Sequence, residues 1–253
     1  MVLMPVGDHN DAPRRGYPVV TVGLIGACIL VFLWQSWLSP TAAERAAFGL
    51  GAIPAVITGH RLLAPALEQV PPLVSLLTSL FLHGDWMHLL GNMLFLWVFG
   101  DNIEEACGHL RFLAFYLACG VLASLVHVAV DPDSLAPVIG ASGAISGVMG
   151  AYLVLHPRAQ VILLAFFIIL VRVPAVIVLS LWIAFQVFNG LMTSSGEGGG
   201  VAWWAHVGGF ACGALLIVPF RRRGVPLFDR RRGTIPRHTL LAGRSVFPPS
   251  RRK

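Results

Sequence analysis

The sequence predicts an all-α membrane protein, a bundle of six transmembrane helices in which one central helix is too short to cross the bilayer unaided. Three observations predict it. Of 253 residues, 56% are hydrophobic and 12% charged, with a mean hydropathy of +0.76, which excludes an ordinary soluble domain. Runs free of Asp, Glu, Lys and Arg, long enough to span about 30 Å of hydrocarbon, occupy Val19–Leu38, Phe112–Val130, Pro174–Met192 and Val201–Phe220. The third observation is charge. Eleven of the 18 basic residues follow Phe220, and Arg14 and Arg15 precede the first run. By the positive-inside tendency both ends are then cytoplasmic, which requires an even number of crossings. Two shorter segments, Trp86–Gly100 and Ser142–Leu155, bring the count to six.

Taken in order, residues 1–17 read as a short mobile cytoplasmic tail with no removable signal peptide. The first span ends in Trp34-Gln35-Ser36-Trp37, rings suited to the outer interface. Residues 39–80 mix prolines, Pro54, Pro65, Pro71 and Pro72 among them, with many apolar side chains, as expected of an external connection lying in the interface. The second span begins at Trp86. Gly100-Asp101-Asn102-Ile103-Glu104-Glu105 closes it at a turn, where Glu104 is expected to hydrogen-bond for structure. The third span carries His127 near its outer end, an interfacial position, and Asp131-Pro132-Asp133 turns the chain outside. After the serine segment, Val161–Val171 is half a crossing long and is expected along the inner surface. Residues 194–200 read as a flexible external lid, and residues 221–253 as a basic inner-surface anchor and disordered tail. The organisation is therefore a tail (1–17), a six-helix domain (18–220) and a basic tail (221–253). The pI near 9.8 reports topology and attraction to the lipid bilayer, not nucleic acid. Cys28, Cys107, Cys119 and Cys212 are scattered and read as packing residues.

Gly140-Ala141-Ser142-Gly143-Ala144-Ile145-Ser146-Gly147 opens the short segment. A serine flanked by glycines at a helix start exposes its hydroxyl beside free backbone N–H groups and the positive end of the helix dipole. The same small residues at four-residue spacing also suit close helix packing. Ala205, Gly209 and Gly213 form a matching ridge on the last span. His88 and Asn92, four apart on the second span, share one helical face. They are fit either to bond a neighbouring helix or to donate to a developing negative charge.

Depth arithmetic places these groups in one layer. The 14 residues from Ser142 to Leu155 rise about 21 Å. With Arg158 at the inner face, Ser142 then lies about 10 Å below the outer one. His206 comes out about 8 Å deep and Asn92 about 9 Å deep. A serine and a histidine at one depth suggest a dyad, Ser142 as nucleophile and His206 as general base. The Ser142 amide, His88 and Asn92 would hold the oxyanion. No carboxylate on the same helices stands at this level, so a dyad is expected and not a triad. No cofactor or metal is required. A metal site of His83, His88 and His206 is a competing reading, but it finds no Cys or carboxylate at ligand spacing. A transporter is another, without an inverted repeat or a deep acidic residue to support it.

In these residues the sequence resembles the rhomboid family of intramembrane serine proteases over about Tyr17 to Phe220. The motifs are His83-x4-His88-x3-Asn92, Gly100-Asp101-Asn102-x-Glu104, Gly140-Ala141-Ser142-Gly143 and Ala205-His206-x-Gly208-Gly209, in family order. The resemblance implies cleavage of single-span transmembrane protein substrates at or near the outer membrane boundary. It implies Ser142 and His206 as catalytic residues and His88, Asn92 and the Ser142 amide as the oxyanion hole. His83, Glu104, Gly140, Gly143 and Gly209 would be structural supports. At Ser146, one turn after the nucleophile, some family members carry a tyrosine that stacks on the catalytic histidine. A catalytically inactive relative that binds membrane clients is the alternative within the same family.

Overall fold

In a computed structural model the described residues are 3–9, 16–165, 168–193 and 201–229. The expected lid at 194–200 and the basic residues beyond 229 lie outside them. The chain runs β1 (Leu3–His9), α1 (Val19–Ser36), α2 (Pro40–Leu50), α3 (Pro54–Ile57), α4 (Pro72–Thr78), a 3₁₀ turn (Ser79–Phe81), α5 (Trp86–Cys107) and α6 (His109–Val130). It continues through α7 (Ser142–Leu155), β2 (Gln160–Ala165), β3 (Ile169–Pro174), α8 (Ala175–Met192) and α9 (Trp203–Phe220). Helices α1, α6, α8 and α9 are each long and apolar enough to cross a membrane. The pair α4–α5, bent by 82°, passes the same test together. At 14 residues α7 is shorter, and it sits in the middle of the bundle with nearly every side chain buried. The protein is a multi-pass membrane protein built as a helical bundle.

The short helix is central because it is almost all small residues. A Cβ at Gly209 would collide with the backbone carbonyl of Gly143, one at Gly213 with that of Gly147, and one at Gly150 with the carbonyl of Phe210. Helices α7 and α9 thus meet backbone to backbone, a fit only glycine allows. On the other side of α7, a Cβ at Gly143 would lie 2.8 Å from Ala123 Cβ, and one at Gly147 2.6 Å from Cys119 Cβ, both on α6. The packing reading of the glycine-serine stretch is met by this geometry.

Four expectations are corrected. Residues 3–9, placed in a mobile tail, form an edge strand antiparallel to β2, with a register shift between Pro5 and Gly7. Pro5 is tolerated because an edge strand leaves one side unpaired. Asp8 fastens this strand to the bundle, its Oδ2 accepting from Tyr152 Oη at 2.6 Å and from Asn102 Nδ2 at 3.1 Å. The apolar run Val161–Val171 folds into the β2–β3 hairpin, so a small three-stranded sheet sits at the end of α7 away from Ser142. Residues 221–229, placed in the disordered tail, fold back on that end: Arg222, Phe228 and Asp229 donate backbone N–H bonds to the carbonyls of Ala106, Val154 and Leu155.

The fourth concerns Glu104, which lies in the last turn of α5 and not at a turn between helices; Gly108, at φ 88°, makes that turn. The Glu104 carboxylate is buried. It accepts from Val20 N at 2.9 Å, Thr21 N at 2.7 Å and Thr21 Oγ1 at 2.7 Å. These are first-turn N–H groups of α1, which no intrahelical carbonyl can satisfy, and a carboxylate there also favours the helix dipole.

Candidate active site

Ser142 is the first residue of α7 and His206 lies in the first turn of α9. The glycine contacts between the two helices bring their starts together, and the Ser142 Oγ stands 2.8 Å from His206 Nε2. The other ring nitrogen settles the direction of that bond. His206 Nδ1 is 2.8 Å from Gln186 Oε1, and an amide oxygen can only accept, so Nδ1 carries the proton. Nε2 then offers its lone pair and the Ser142 hydroxyl donates to it. This is the protonation state a general base needs before reaction.

Beside the serine is a donor without an acceptor among the described residues. Asn92, on α5, is 8% exposed, and its Nδ2 is buried with no partner among those residues. A buried amide left unpaired costs about 1–3 kcal/mol, and this one borders the space beside Gly140. The His88 ring lies beside it. Its Nδ1 accepts from the Gly84 N–H at 3.4 Å, which puts the ring proton on Nε2. That Nε2 faces Gly140: a Cβ there would stand 2.6 Å from it and 3.7 Å from Asn92 Nδ2. Gly140 also has φ 120°, a conformation side chains rarely adopt. The glycine before the serine therefore leaves a space bounded by the His88 Nε2–H, the Asn92 amide and the N-terminus of α7.

The start of α5 is set by its own polar residues. Asp85 Oδ1 accepts from the His88 N–H at 2.8 Å, an N-cap. His83 is buried just before it, its Nδ1 donating to the Phe81 carbonyl at 3.2 Å and its ring edge-on to that of His88 with centroids 5.1 Å apart. Gln35 of α1 exchanges two bonds with the His83 backbone, at 3.0 and 3.2 Å. The histidines of the competing metal reading thus have other partners, and among the described residues no three His, Cys, Asp or Glu groups converge.

Two residues of α8 were not anticipated from the sequence. Gln186 holds the His206 Nδ1–H, and Trp182, one turn earlier, packs its ring on the imidazole with centroids 5.9 Å apart. Trp203 meets the same ring edge-on at 6.4 Å. Ser146, the position where a tyrosine could have stacked, instead donates its hydroxyl to the Ser142 carbonyl at 2.6 Å. The chain does carry a signal: Gln186 is a polar side chain inside an apolar span, four residues from a tryptophan on the same face.

The family model for the rhomboid domain matches residues 71–223, more than half of the chain. The chain belongs to the rhomboid family. It is similar to rhomboid protease GluP of Bacillus subtilis, 36% identical over 146 residues that cover 57% of this chain and 26% of that protein. It is likewise similar to the mitochondrial rhomboid protein 1 of Saccharomyces cerevisiae, 30% identical over 154 residues covering 58% of this chain and 42% of that one. The RHOMBOID-like protein 5 of Arabidopsis thaliana shares 37% identity over 78 residues, 31% of this chain and 25% of that protein. This rhomboid chain therefore spans less than half the length of each of these relatives. The matched region holds Asn92, His88, Ser142, Gln186 and His206, and excludes β1, α1 and α2.

Proposed function

We propose that this protein is an intramembrane serine endopeptidase that cuts single-span membrane proteins at or near the outer membrane boundary. The observation that carries the reading is the 2.8 Å approach of Ser142 Oγ to His206 Nε2 with the opposite nitrogen already bonded. Attack of Oγ on a peptide carbonyl transfers the serine proton to Nε2. The tetrahedral oxyanion then takes up the hydrogen bonds of Asn92 Nδ2, His88 Nε2–H and the Ser142 amide. His206 returns the proton to the departing amine, leaving an acyl-enzyme. Water attacks that ester as Nε2 accepts its proton, and the new carboxyl end leaves as Ser142 is restored. No cofactor enters this sequence of steps.

The setting follows from the charge pattern. Both ends face the cytoplasm of a cytoplasmic-type membrane, the sheet and the folded-back residues 221–229 lie at the inner side, and the site opens outward. The N-terminal start of α7 below the surface requires a water-accessible space above Ser142, which also admits the hydrolytic water. Residues 18–220 form the protease domain.

The deciding experiment is labelling with a serine-reactive fluorophosphonate, alongside cleavage of a single-span test substrate in liposomes. Labelling and cleavage by wild type, both lost in folded Ser142→Ala and His206→Ala, is the expected outcome. A folded wild type that neither labels nor cleaves would replace this reading with that of a client-binding relative.

A further inference from the structure

Gln186 stands out among the buried polar groups. The buried residues of α8 are Ala175, Leu179, Gln186 and Gly190, a seam spaced four, seven and four along the helix. Gln186 is its one polar member, 4% exposed. Much of the rest of α8 is turned outward: Ile177, Leu181, Phe185, Phe188 and Leu191 are all exposed, a belt for lipid. In hydrocarbon a buried amide on such a helix must find a partner within the protein. The partner it finds is the Nδ1–H of His206, while Trp182 one turn away covers the ring.

We propose that Gln186 is a positioning residue for the catalytic base, an inference that rests on the serine-protease reading. It accepts the Nδ1 proton and so holds Nε2 unprotonated and aimed at Ser142. It does the orienting that a carboxylate does in a Ser-His-Asp triad, with a neutral group that needs no charge buried in the membrane. A consequence is that the base is correctly set only while α8 is seated. Any displacement of α8 that opens the bundle withdraws Gln186 and Trp182 together and frees the imidazole to turn.

The test compares Gln186→Met, equal in length but without an oxygen, with Gln186→Glu, whose carboxylate can accept the same proton. In folded protein Gln186→Met should lower kcat about tenfold, the size of one neutral hydrogen bond, with KM unchanged and fluorophosphonate labelling slowed in parallel. Gln186→Glu should recover most of that rate. Should Gln186→Met not fold, Gln186→Asn, one carbon short of the ring, takes its place with the same loss expected. A wild-type kcat in folded Gln186→Met or Gln186→Asn would overturn the proposal. So would a loss confined to KM, or a Gln186→Glu variant as slow as Gln186→Met. These outcomes leave an active wild type and the protease reading intact, whereas a wild type inert to probe and substrate removes both.

Discussion

Helices α8 and α9 both deliver a side chain to the same imidazole, yet they are held in opposite ways. Helix α9 lies against α7 backbone to backbone at two glycine pairs, Gly143 with Gly209 and Gly147 with Gly213. Helix α8 meets the bundle through side chains, with only Ala175, Leu179, Gln186 and Gly190 fully buried and Val178, Trp182 and Ile183 half-buried beside them. Backbone-to-backbone packing has no soft part: neither helix can slide without a clash, so the serine and histidine are fixed by the same contacts that fold the protein. The proposed nucleophile and base thus stand on the closely packed pair, and the group proposed to orient the base stands on the helix inferred above to move.

The most drastic way to break this contrast is to wedge the rigid pair apart. In Gly209→Val the new Cβ would meet the Gly143 carbonyl, and no rotamer can relieve a clash with backbone. Helix α9 must back away and carry His206, three residues earlier, from Ser142. Loss of the base's alignment is worth on the order of 10⁴-fold in rate, and overpacking of this kind about 1–3 kcal/mol in stability. Cleavage assays paired with thermal unfolding in detergent should show both losses at once, with a rate loss far beyond the about tenfold expected of Gln186→Met. Wild-type turnover in Gly209→Val would mean that the glycine seam does not set the site.

A smaller effect is expected on the oxyanion side. Asn92→Ala removes an Nδ2 that has no partner among the described residues, so folding is expected to lose little and the transition state a donor. The expected result is a kcat lower by about 100- to 1000-fold with an unfolding midpoint equal to or above that of wild type. A fall in stability would show instead that Asn92 bonds within the fold.

What a sequence of this kind discloses divides along the same lines. Bounds of the long helices follow from uninterrupted apolar runs, and the observed α1, α6, α8 and α9 differ from them by only a few residues. Depth is estimated from the rise per residue; Ser142 bonds His206, and His88 and Asn92 border Gly140 two residues before that serine. Rotation about each helix axis depends on the neighbours a helix packs against, which no single apolar span reveals. Gln186 is therefore illegible as an orienting group: its span reads as lipid-facing, and the chemistry of a triad directs attention to a carboxylate. The sheet escapes notice for a different reason. Leu3–His9 holds a proline and a glycine and has no strand pattern of its own; it pairs because the β2–β3 hairpin, far later in the chain, presents a free edge.

Glu104 offers the gentlest test, because it does for α1 what Gln186 does for α8, but far from the chemistry. Both are single buried polar groups that dock a largely lipid-facing helix, α1 through its Val20 and Thr21 amides and α8 through His206. Glu104→Gln keeps the shape and one oxygen, yet turns an NH₂ toward an N–H group that needs an acceptor. The unpaired donors cost about 1–3 kcal/mol, so the unfolding midpoint should drop while kcat per folded molecule stays within about twofold. The two variants then separate by rate: Glu104→Gln keeps kcat per folded molecule, whereas Gln186→Met lowers it in folded protein. If Glu104→Gln also slowed the chemical step in folded protein, the seating of α1 would reach the active site through Gln35 and the His83 backbone. The division between a rigid catalytic pair and one movable helix would then have to include α1 on the movable side.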